Sequence, residues 1–137
     1  MSTKQNYQAE LPNDSNDLFR LNQYPIFDVE ETIKQFEDKE AFIEILNDFL
    51  VNDLQLSFAK MKIAFLEKDY EQVEKLAHRI KSGALYMGTV RTRYACQYLE
   101  RYWKTGKREL FSKLYEQAVS VIEETEQHVK DWLKKAN

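Results

Sequence analysis

The sequence predicts an all-α protein, folded as an antiparallel up-down-up-down four-helix bundle with a short preceding N-terminal helix. Glycine and proline are scarce, at three and two residues in 137, whereas an all-β sandwich or barrel needs a turn signal about every ten residues. Apolar residues recur at helical spacing through four long stretches that short turns separate. With 43% hydrophobic and 31% charged residues, the chain can bury a core and is not a disordered segment.

The chain begins with a predicted polar N-terminal arm. Residues 1–22 are rich in Asn, Asp, Gln and Ser, which is typical of a partly flexible segment. The dipeptide Tyr24-Pro25 ends the arm, because the residue before proline avoids the α region. Residues 23–137 then form the predicted bundle. Three apolar residues of the arm are candidates to dock it against the bundle, namely Leu18, Phe19 and Leu21.

The first long helix is predicted at about 39–67, where the sequence has no glycine or proline. A short helix at about 28–36 precedes it, and Glu37-Asp38 is expected to end that helix and cap the long one. Plotted at about 100° per residue, its apolar side chains fill an arc of roughly 200°. An ordinary surface helix needs a stripe of little more than about 100°. This helix therefore either lies deep in the bundle or leaves apolar surface for a partner.

Three further long helices are predicted at about 70–87, 90–105 and 108–134. Asp69 is the expected N-cap of the first of them, and Gly88 is its expected C-terminal stop. Its apolar residues repeat at 4-3-4-3 spacing, which is typical of the buried seam of an antiparallel bundle helix. The seam consists of Val73, Ala77, Ile80, Ala84 and Met87.

Charge is distributed unevenly along the chain. The net charge is −3, but residues 75–108 carry nine basic residues and a single acid, Glu100. This asymmetry favours a partner with an acidic surface or a phosphate group, or else reflects solvated helix faces. A helical binding module for acidic partners or nucleic acid, using residues 75–108, is therefore the alternative function. Nucleic acid is not the expected partner, because the overall charge is acidic.

The sequence excludes several classes of protein. A single cysteine, Cys96, rules out internal disulfides and multi-cysteine zinc sites, and its place on an apolar stripe indicates an inert buried thiol. The N-terminus lacks a signal-peptide pattern, and no apolar run is long enough to span a membrane. Nucleotide-binding and metalloprotease motifs are missing. We expect a cytoplasmic monomer with no metal site and no cofactor of its own.

The residues that carry chemistry surround His78. His78 lies beside the buried seam of its helix but faces outward. Lys75 at i−3 and Lys81 at i+3 can bring their ammonium groups near the imidazole, while Ser82 and Gly83 are small enough to let another protein approach. A neutral exposed imidazole beside cations suits the acceptance and donation of a phosphoryl group. An ordinary exposed histidine is the alternative for the same pattern.

Residues 78–84, His-Arg-Ile-Lys-Ser-Gly-Ala, resemble the H-x-x-K-G-S/A motif of histidine-containing phosphotransfer (HPt) domains. The segments at 49–53 and 64–69 are similar to the family's F-L and A-L-x-x-x-D segments. Met87-Gly88 resembles its L-G, and Cys96 to Glu100 resembles its C-x-x-L-E, so the likeness extends over about 25–134. The order of the small pair differs, since serine here precedes glycine.

The resemblance implies a phosphorelay intermediate. His78 would be the phosphorylated nucleophile, accepting a phosphoryl group from a receiver domain's phospho-aspartate and passing it to the aspartate of another receiver. Lys81 would stabilise the phosphoryl charge; because it lies off the seam, we expect its removal to leave stability nearly unchanged. The receiver, in a response regulator or a hybrid sensor kinase, would supply Mg²⁺. The chain would not be a kinase, since nothing in it resembles an ATP-binding domain.

The predicted docking surface combines apolar and basic residues. Exposed apolar side chains of the helix at 39–67 would form a patch around His78, and cations would form its rim. The binding residues expected around the histidine are Lys75, Arg79, Ser82 and Gly83. His128 has no motif around it, so we expect it to be structural or simply exposed.

Overall fold

The computed structural model describes residues 11–136 of the chain. No strand occurs in this range, which confirms the all-α prediction. Residues 1–10 of the predicted arm lie outside the described residues. The elements follow in the order 3₁₀ turn Ser15–Phe19, α1 Val29–Ile33, α2 Lys39–Phe49, π-helical segment Leu50–Ser57, α3 Phe58–Leu66, α4 Tyr70–Met87, α5 Val90–Lys104 and α6 Phe111–Ala136.

Helix α4 has the bounds that the sequence predicts. The Asp69 carboxylate accepts a hydrogen bond from the backbone N–H of Gln72 at 3.3 Å, which caps the helix. At the other end Gly88 adopts the left-handed conformation, with φ of 72°, and stops the helix. All five residues of the predicted seam are buried. The opposite face of α4 is therefore left to carry exposed side chains.

The first long helix contains a π-helical turn that the sequence analysis did not predict. Asp38 caps it as expected, accepting from the backbone N–H of Ala41 at 2.8 Å. The chain then runs through α2, the π-helical segment and α3 without a break, and we call this unit the α2–α3 helix. Hydrogen bonds of the i→i+5 type wind more residues into each turn. A plot at a constant angle of about 100° per residue therefore assigns the apolar residues before and after this segment to different faces. This makes the apolar arc look wider than it is.

Part of the α2–α3 helix is nevertheless apolar and exposed. Its core side includes Phe42, Leu46 and Leu54, which are fully buried. Uncovered apolar surface excludes the first of the two alternatives, a helix that lies deep in the bundle on all sides. The exposed apolar residues on this helix are Ile45, Val51, Leu56, Ile63 and Leu66.

The residues that precede α1 lie against the bundle. The side chain of Gln117 on α6 donates a hydrogen bond to the Leu18 carbonyl at 2.9 Å. The ring of Tyr24 stacks on Tyr94 of α5, with 4.0 Å between centroids. These contacts place this segment over the α5–α6 side of the molecule. Its buried apolar residues are Leu11, Leu18 and Leu21.

Helix α4 has a helix on either side. It packs against α5 on one side and against the α2–α3 helix on the other, while α5 also packs on α6. This arrangement positions the outward face of α4 between two neighbouring helices. Within residues 11–136, no helix is long and apolar enough to cross a membrane.

Candidate functional site

His78 projects from the outward face of α4, as the sequence spacing predicts. Its side chain is 55% exposed, although the neighbouring Ala77 is fully buried. The ring is fixed from one side, because Nδ1 lies 2.8 Å from Oε2 of Glu100 on α5. Nε2 makes no hydrogen bond to any of the described residues. The imidazole is thus held at one nitrogen and open at the other.

Glu100 is a buried carboxylate that joins two functional side chains. Only 2% of its side chain is exposed. Oε2 meets His78, and Oε1 accepts a hydrogen bond from Nζ of Lys81 at 2.7 Å. Nη1 of Arg101 lies 3.7 Å from Oε2. A buried carboxylate is tolerated when cations and hydrogen bonds surround it in this way.

The charge on Glu100 determines which nitrogen of His78 carries the proton. Burial alone raises the pKa of Glu100, but the hydrogen bond and charge of Lys81, with Arg101 and His78, lower it below its ordinary value. An ionised carboxylate only accepts hydrogen bonds. Nδ1 of His78 therefore donates its N–H to Glu100, and the lone pair of the neutral ring is on the exposed Nε2.

Lys81 is not the exposed residue that the sequence analysis expected. Its side chain is only 14% exposed, since it lies along the groove between α4 and α5 to reach Glu100. The contact with Glu100 therefore argues against the expectation that removal of Lys81 leaves stability nearly unchanged. Lys81 supplies positive charge beside His78 and also compensates a buried carboxylate on the next helix.

The small residues Ser82 and Gly83 have different surroundings. Ser82 is exposed, and its hydroxyl donates to the carbonyl oxygen of His78 at 3.0 Å. A methyl group on Gly83 would come within 2.9 Å of the Phe49 ring and would overlap the carboxylate of Asp53. The absence of a side chain at Gly83 thus lets α4 approach the α2–α3 helix within the molecule. Clearance for a partner, the reason the sequence analysis gave, does not explain this glycine.

Two cations lie on the same outward face as His78. Lys75 and Arg79 are both exposed. Nε of Arg79 lies 3.5 Å from Oδ1 of Asp53, which is on the π-helical segment. Burial raises the pKa of Asp53 by more than Arg79 lowers it. The Arg79 side chain itself is 65% exposed, so its charge remains available to the surface.

An open groove of about 690 Å³ runs between α4 and α5 beside this face. Its walls combine cations with two exposed apolar side chains of α4, Leu85 and Tyr86, which are 56% and 72% exposed. A groove of similar size beside Tyr98 and the N-terminal segment contains no residue of the His78 site. The groove between the helices is lined by Lys81, Ser82, Leu85, Tyr86, Arg93, Gln97 and Arg101.

Glu100 and Asp53 were missed as site residues by the sequence analysis. In the sequence, Glu100 is the single acid of a basic stretch and the last residue of the C-x-x-L-E likeness, and neither feature assigns it a role at the site. One signal was available, because Glu100 shares a helix face with Cys96 four residues earlier, and an acid on a buried stripe needs cationic partners. Asp53 gave no comparable signal, since its contact with α4 is purely tertiary.

Cys96 and His128 have the surroundings that the sequence predicts. Cys96 is fully buried, and burial raises the pKa of its thiol to about 12, so it is an inert core residue. His128 is exposed on α6, where Nδ1 donates to the carbonyl oxygen of Glu124 at 2.9 Å. Neither residue takes part in the arrangement around His78.

Comparison with known families gives one match. The family model of the Hpt domain matches residues 44–133, which includes His78, Lys81 and Glu100. No curated protein and no solved structure gives a significant match. The matched range covers well over half of the chain and extends from α2 to the last turns of α6. The chain therefore belongs to the Hpt domain family, whose members are phosphotransfer modules of phosphorelay signalling and interact with receiver domains.

Proposed function

We propose that His78 receives a phosphoryl group on Nε2 from the phospho-aspartate of one receiver domain and gives it to the aspartate of another. The observation that carries this proposal is the Glu100 contact. A carboxylate that accepts from Nδ1–H leaves the lone pair of Nε2 directed to solvent, which is where a receiver can present its acyl phosphate.

The transfer step balances within the two partners. The Nε2 lone pair forms the N–P bond while the P–O bond to the receiver's aspartate breaks, and the carboxylate leaves with the electron pair. The ring gains positive charge because Nδ1 keeps its proton. Glu100 stabilises that charge through the 2.8 Å hydrogen bond. Transfer to the second receiver reverses the same bond changes, so no acid or base has to enter the site.

Lys81 contributes charge to the transferred group. Its ammonium is held next to His78 by Glu100 and lines the groove, so it needs little reorganisation to face the phosphoryl oxygens. Mg²⁺ belongs to the receiver in this proposal, because the metal site of the relay is on the protein that holds the aspartate. In this proposal the chain acts as a phosphotransfer intermediate in the cytoplasm and not as an ATP-dependent kinase.

The receiver docks on the outward face of α4 in this proposal. Lys75, Arg79 and Ser82 are exposed around His78, and Leu85 and Tyr86 continue the face as apolar surface. Apolar contacts hold such a complex, while the cations speed encounter with an acidic receiver surface. A monomer suffices, since His78 and its partners are on one chain.

We also propose that the four long helices alternate in direction. The support is that earlier residues of one helix contact later residues of the next. His78 and Lys81 of α4 meet Glu100, whereas the earlier Glu74 meets the later Lys104. Thr92 on α5 likewise contacts Thr125 of α6, while Tyr102 lies near the start of α6 and bonds the N–H of Leu110. Short connections between successive helices fit the same antiparallel arrangement.

The alternative function, a binding module for acidic partners or nucleic acid, has less support. Several cations of residues 75–108 are engaged within the protein. Lys104 pairs with Glu74, Arg91 donates to the Tyr24 carbonyl, and Lys81 contacts Glu100. A basic surface built for nucleic acid would present these charges to solvent.

The test is transfer from a receiver phosphorylated on its aspartate. Label should move to this chain in an acid-labile, alkali-stable form and should leave it when a second, unphosphorylated receiver is added. His78→Gln should take no label and keep its helical content, while His128→Gln should behave like the wild type. Label on the His78→Gln variant, or none on the wild type with any receiver, would refute the proposal.

A further inference from the structure

Two cations share the buried carboxylate of Glu100. Lys81 donates to Oε1 at 2.7 Å, and Arg101 lies 3.7 Å from Oε2. Their side chains are 14% and 15% exposed, and both line the groove between α4 and α5. Lys81 alone would be enough to compensate one carboxylate. The presence of a second cation at the same group is therefore a feature that calls for a separate explanation.

A phosphoryl group on His78 would compete with Glu100 for Lys81. The phosphoryl oxygens carry more negative charge than one carboxylate, and the lysine side chain is flexible enough to turn towards them. Removing the only partner of a buried carboxylate is strongly unfavourable. Until the N–P bond forms, the nucleophilic ring carries no positive charge. With Lys81 as its only cationic partner at that stage, Glu100 would hold the ammonium back and oppose phosphorylation.

We propose that Arg101 is a positioning residue that keeps Glu100 compensated while Lys81 turns from Glu100 to the phosphoryl group on His78. The guanidinium stays charged at any working pH and offers several donors, so it can hold the carboxylate as the ammonium leaves. Glu100 thereby stays ionised and keeps its hydrogen bond to Nδ1 of His78. This inference rests on the proposed function, because it requires phosphorylation of His78.

The experiment phosphorylates the isolated chain with potassium phosphoramidate, which removes receiver docking from the measurement. Nε2 forms the N–P bond as the P–N bond of phosphoramidate breaks, and ammonia leaves with a proton from water. The variant is Arg101→Gln, and the matched control is Arg93→Gln. Arg93 is on the same helix and lines the same groove, and its guanidinium stacks on Tyr94 at 4.9 Å. Both variants remove one positive charge from the same groove, so the control reports the effect of losing a cation that does not contact Glu100.

Two quantities are measured, the phosphorylation rate and the NMR signal of the Lys81 ammonium. Arg101→Gln should lower the rate by roughly tenfold, less than the 10²–10³-fold loss typical of removing a donor that touches the reacting group. Phosphorylation should shift the Lys81 signal in the wild type and in Arg93→Gln, but much less in Arg101→Gln. Arg101→Lys should restore both the phosphorylation rate and the shift of the Lys81 signal, since an ammonium can also compensate Glu100.

A double variant separates this role from a merely structural one. In a Glu100→Gln background no carboxylate needs compensation, so adding Arg101→Gln should change the rate by no more than about twofold. A tenfold effect of Arg101→Gln that persists in this background would overturn the inference, as would equal rates for Arg101→Gln and Arg93→Gln. Wild-type protein that takes no label on His78 from phosphoramidate or from a phosphorylated receiver would instead refute the proposed function itself.

Discussion

Nδ1 of His78 lies 2.8 Å from Oε2 of Glu100, although 22 residues separate the two along the chain. The pairing connects α4 to α5 at the point where the exposed imidazole emerges from the bundle. It fixes the tautomer of the ring, and through Oε1 it also fixes Lys81. One buried side chain therefore links the chemistry of the site to the packing of two helices.

The Lys81–Glu100 contact predicts that Lys81 affects both transfer and stability. Lys81→Met should slow phosphoryl transfer by about 10–10³-fold, because a preorganised charge is lost. It should also lower the free energy of unfolding by about 1.5–3 kcal/mol, the range for a hydrogen bond to a charged group. The rate of phosphoryl transfer and the urea dependence of unfolding measure the two effects separately. A variant as stable as the wild type would show that the buried contact contributes nothing to the fold.

Gly83 should be required by the fold and not by the partner. Gly83→Ala should lower the free energy of unfolding by about 1–3 kcal/mol, because the new methyl overlaps Phe49 and Asp53, even though alanine favours helix formation. The neighbouring Ser82→Ala is the matched control, and it should stay within about 0.5 kcal/mol, since Ser82 is exposed. Thermal or urea unfolding decides the matter. Equal stability of the two variants would contradict this account of Gly83.

The charge of Glu100 predicts a particular acid sensitivity. Its pKa in the folded protein lies below the ordinary value of 4.5, so the unfolded chain binds the proton first as pH falls. The stabilisation that ionised Glu100 contributes is fully present above pH 4.5 and is lost as the pH falls through the lower pKa of the folded state. The stability difference between wild type and Glu100→Gln should therefore narrow in acid. Asp53, whose pKa is raised, is present in both proteins, so its contribution to the pH dependence of stability cancels in the difference. A difference that is independent of pH would refute this assignment.

Local periodicity is sufficient to predict several features of the fold and of the site. The seam of α4 and its caps depend on residues within a few turns of one another, so their spacing was sufficient to place His78 on the outward face. The burial of Cys96 was predicted from the same kind of pattern. These features need no knowledge of which helices become neighbours.

The features that were missed depend on tertiary contacts. Glu100 meets His78 and Lys81 only after α4 and α5 pack, and Gly83 meets Asp53 only where the α2–α3 helix lies against α4. A helical plot at about 100° per residue assumes about 3.6 residues per turn throughout. The π-helical segment has more residues per turn, so such a plot misplaces the side chains that follow it. The prediction for Lys81 omitted its contact with Glu100 because that contact, too, forms only when α4 and α5 pack.

The docking proposal predicts unequal effects at two exposed leucines. Leu85 is on the face of α4 that carries His78, seven residues further along, whereas Leu66 ends α3 and is the more exposed of the two at 81%. Leu85→Asp should raise the dissociation rate of a receiver complex by about tenfold or more, as expected when a charge enters an apolar contact. Leu66→Asp should leave it unchanged. Surface plasmon resonance measures both, and a larger effect at Leu66 would place the docking surface elsewhere.

The most direct test is ¹⁵N NMR of the His78 imidazole before and after transfer from a phosphorylated receiver. Before transfer the proton of the neutral tautomer should be on Nδ1, and after transfer phosphorus should be coupled to Nε2. His128 should show no coupling to phosphorus. A ring protonated at Nε2 in the neutral state, or a phosphoryl group on Nδ1 of His78 or on His128, would contradict the central claim that Glu100 directs His78 to accept the phosphoryl group at Nε2.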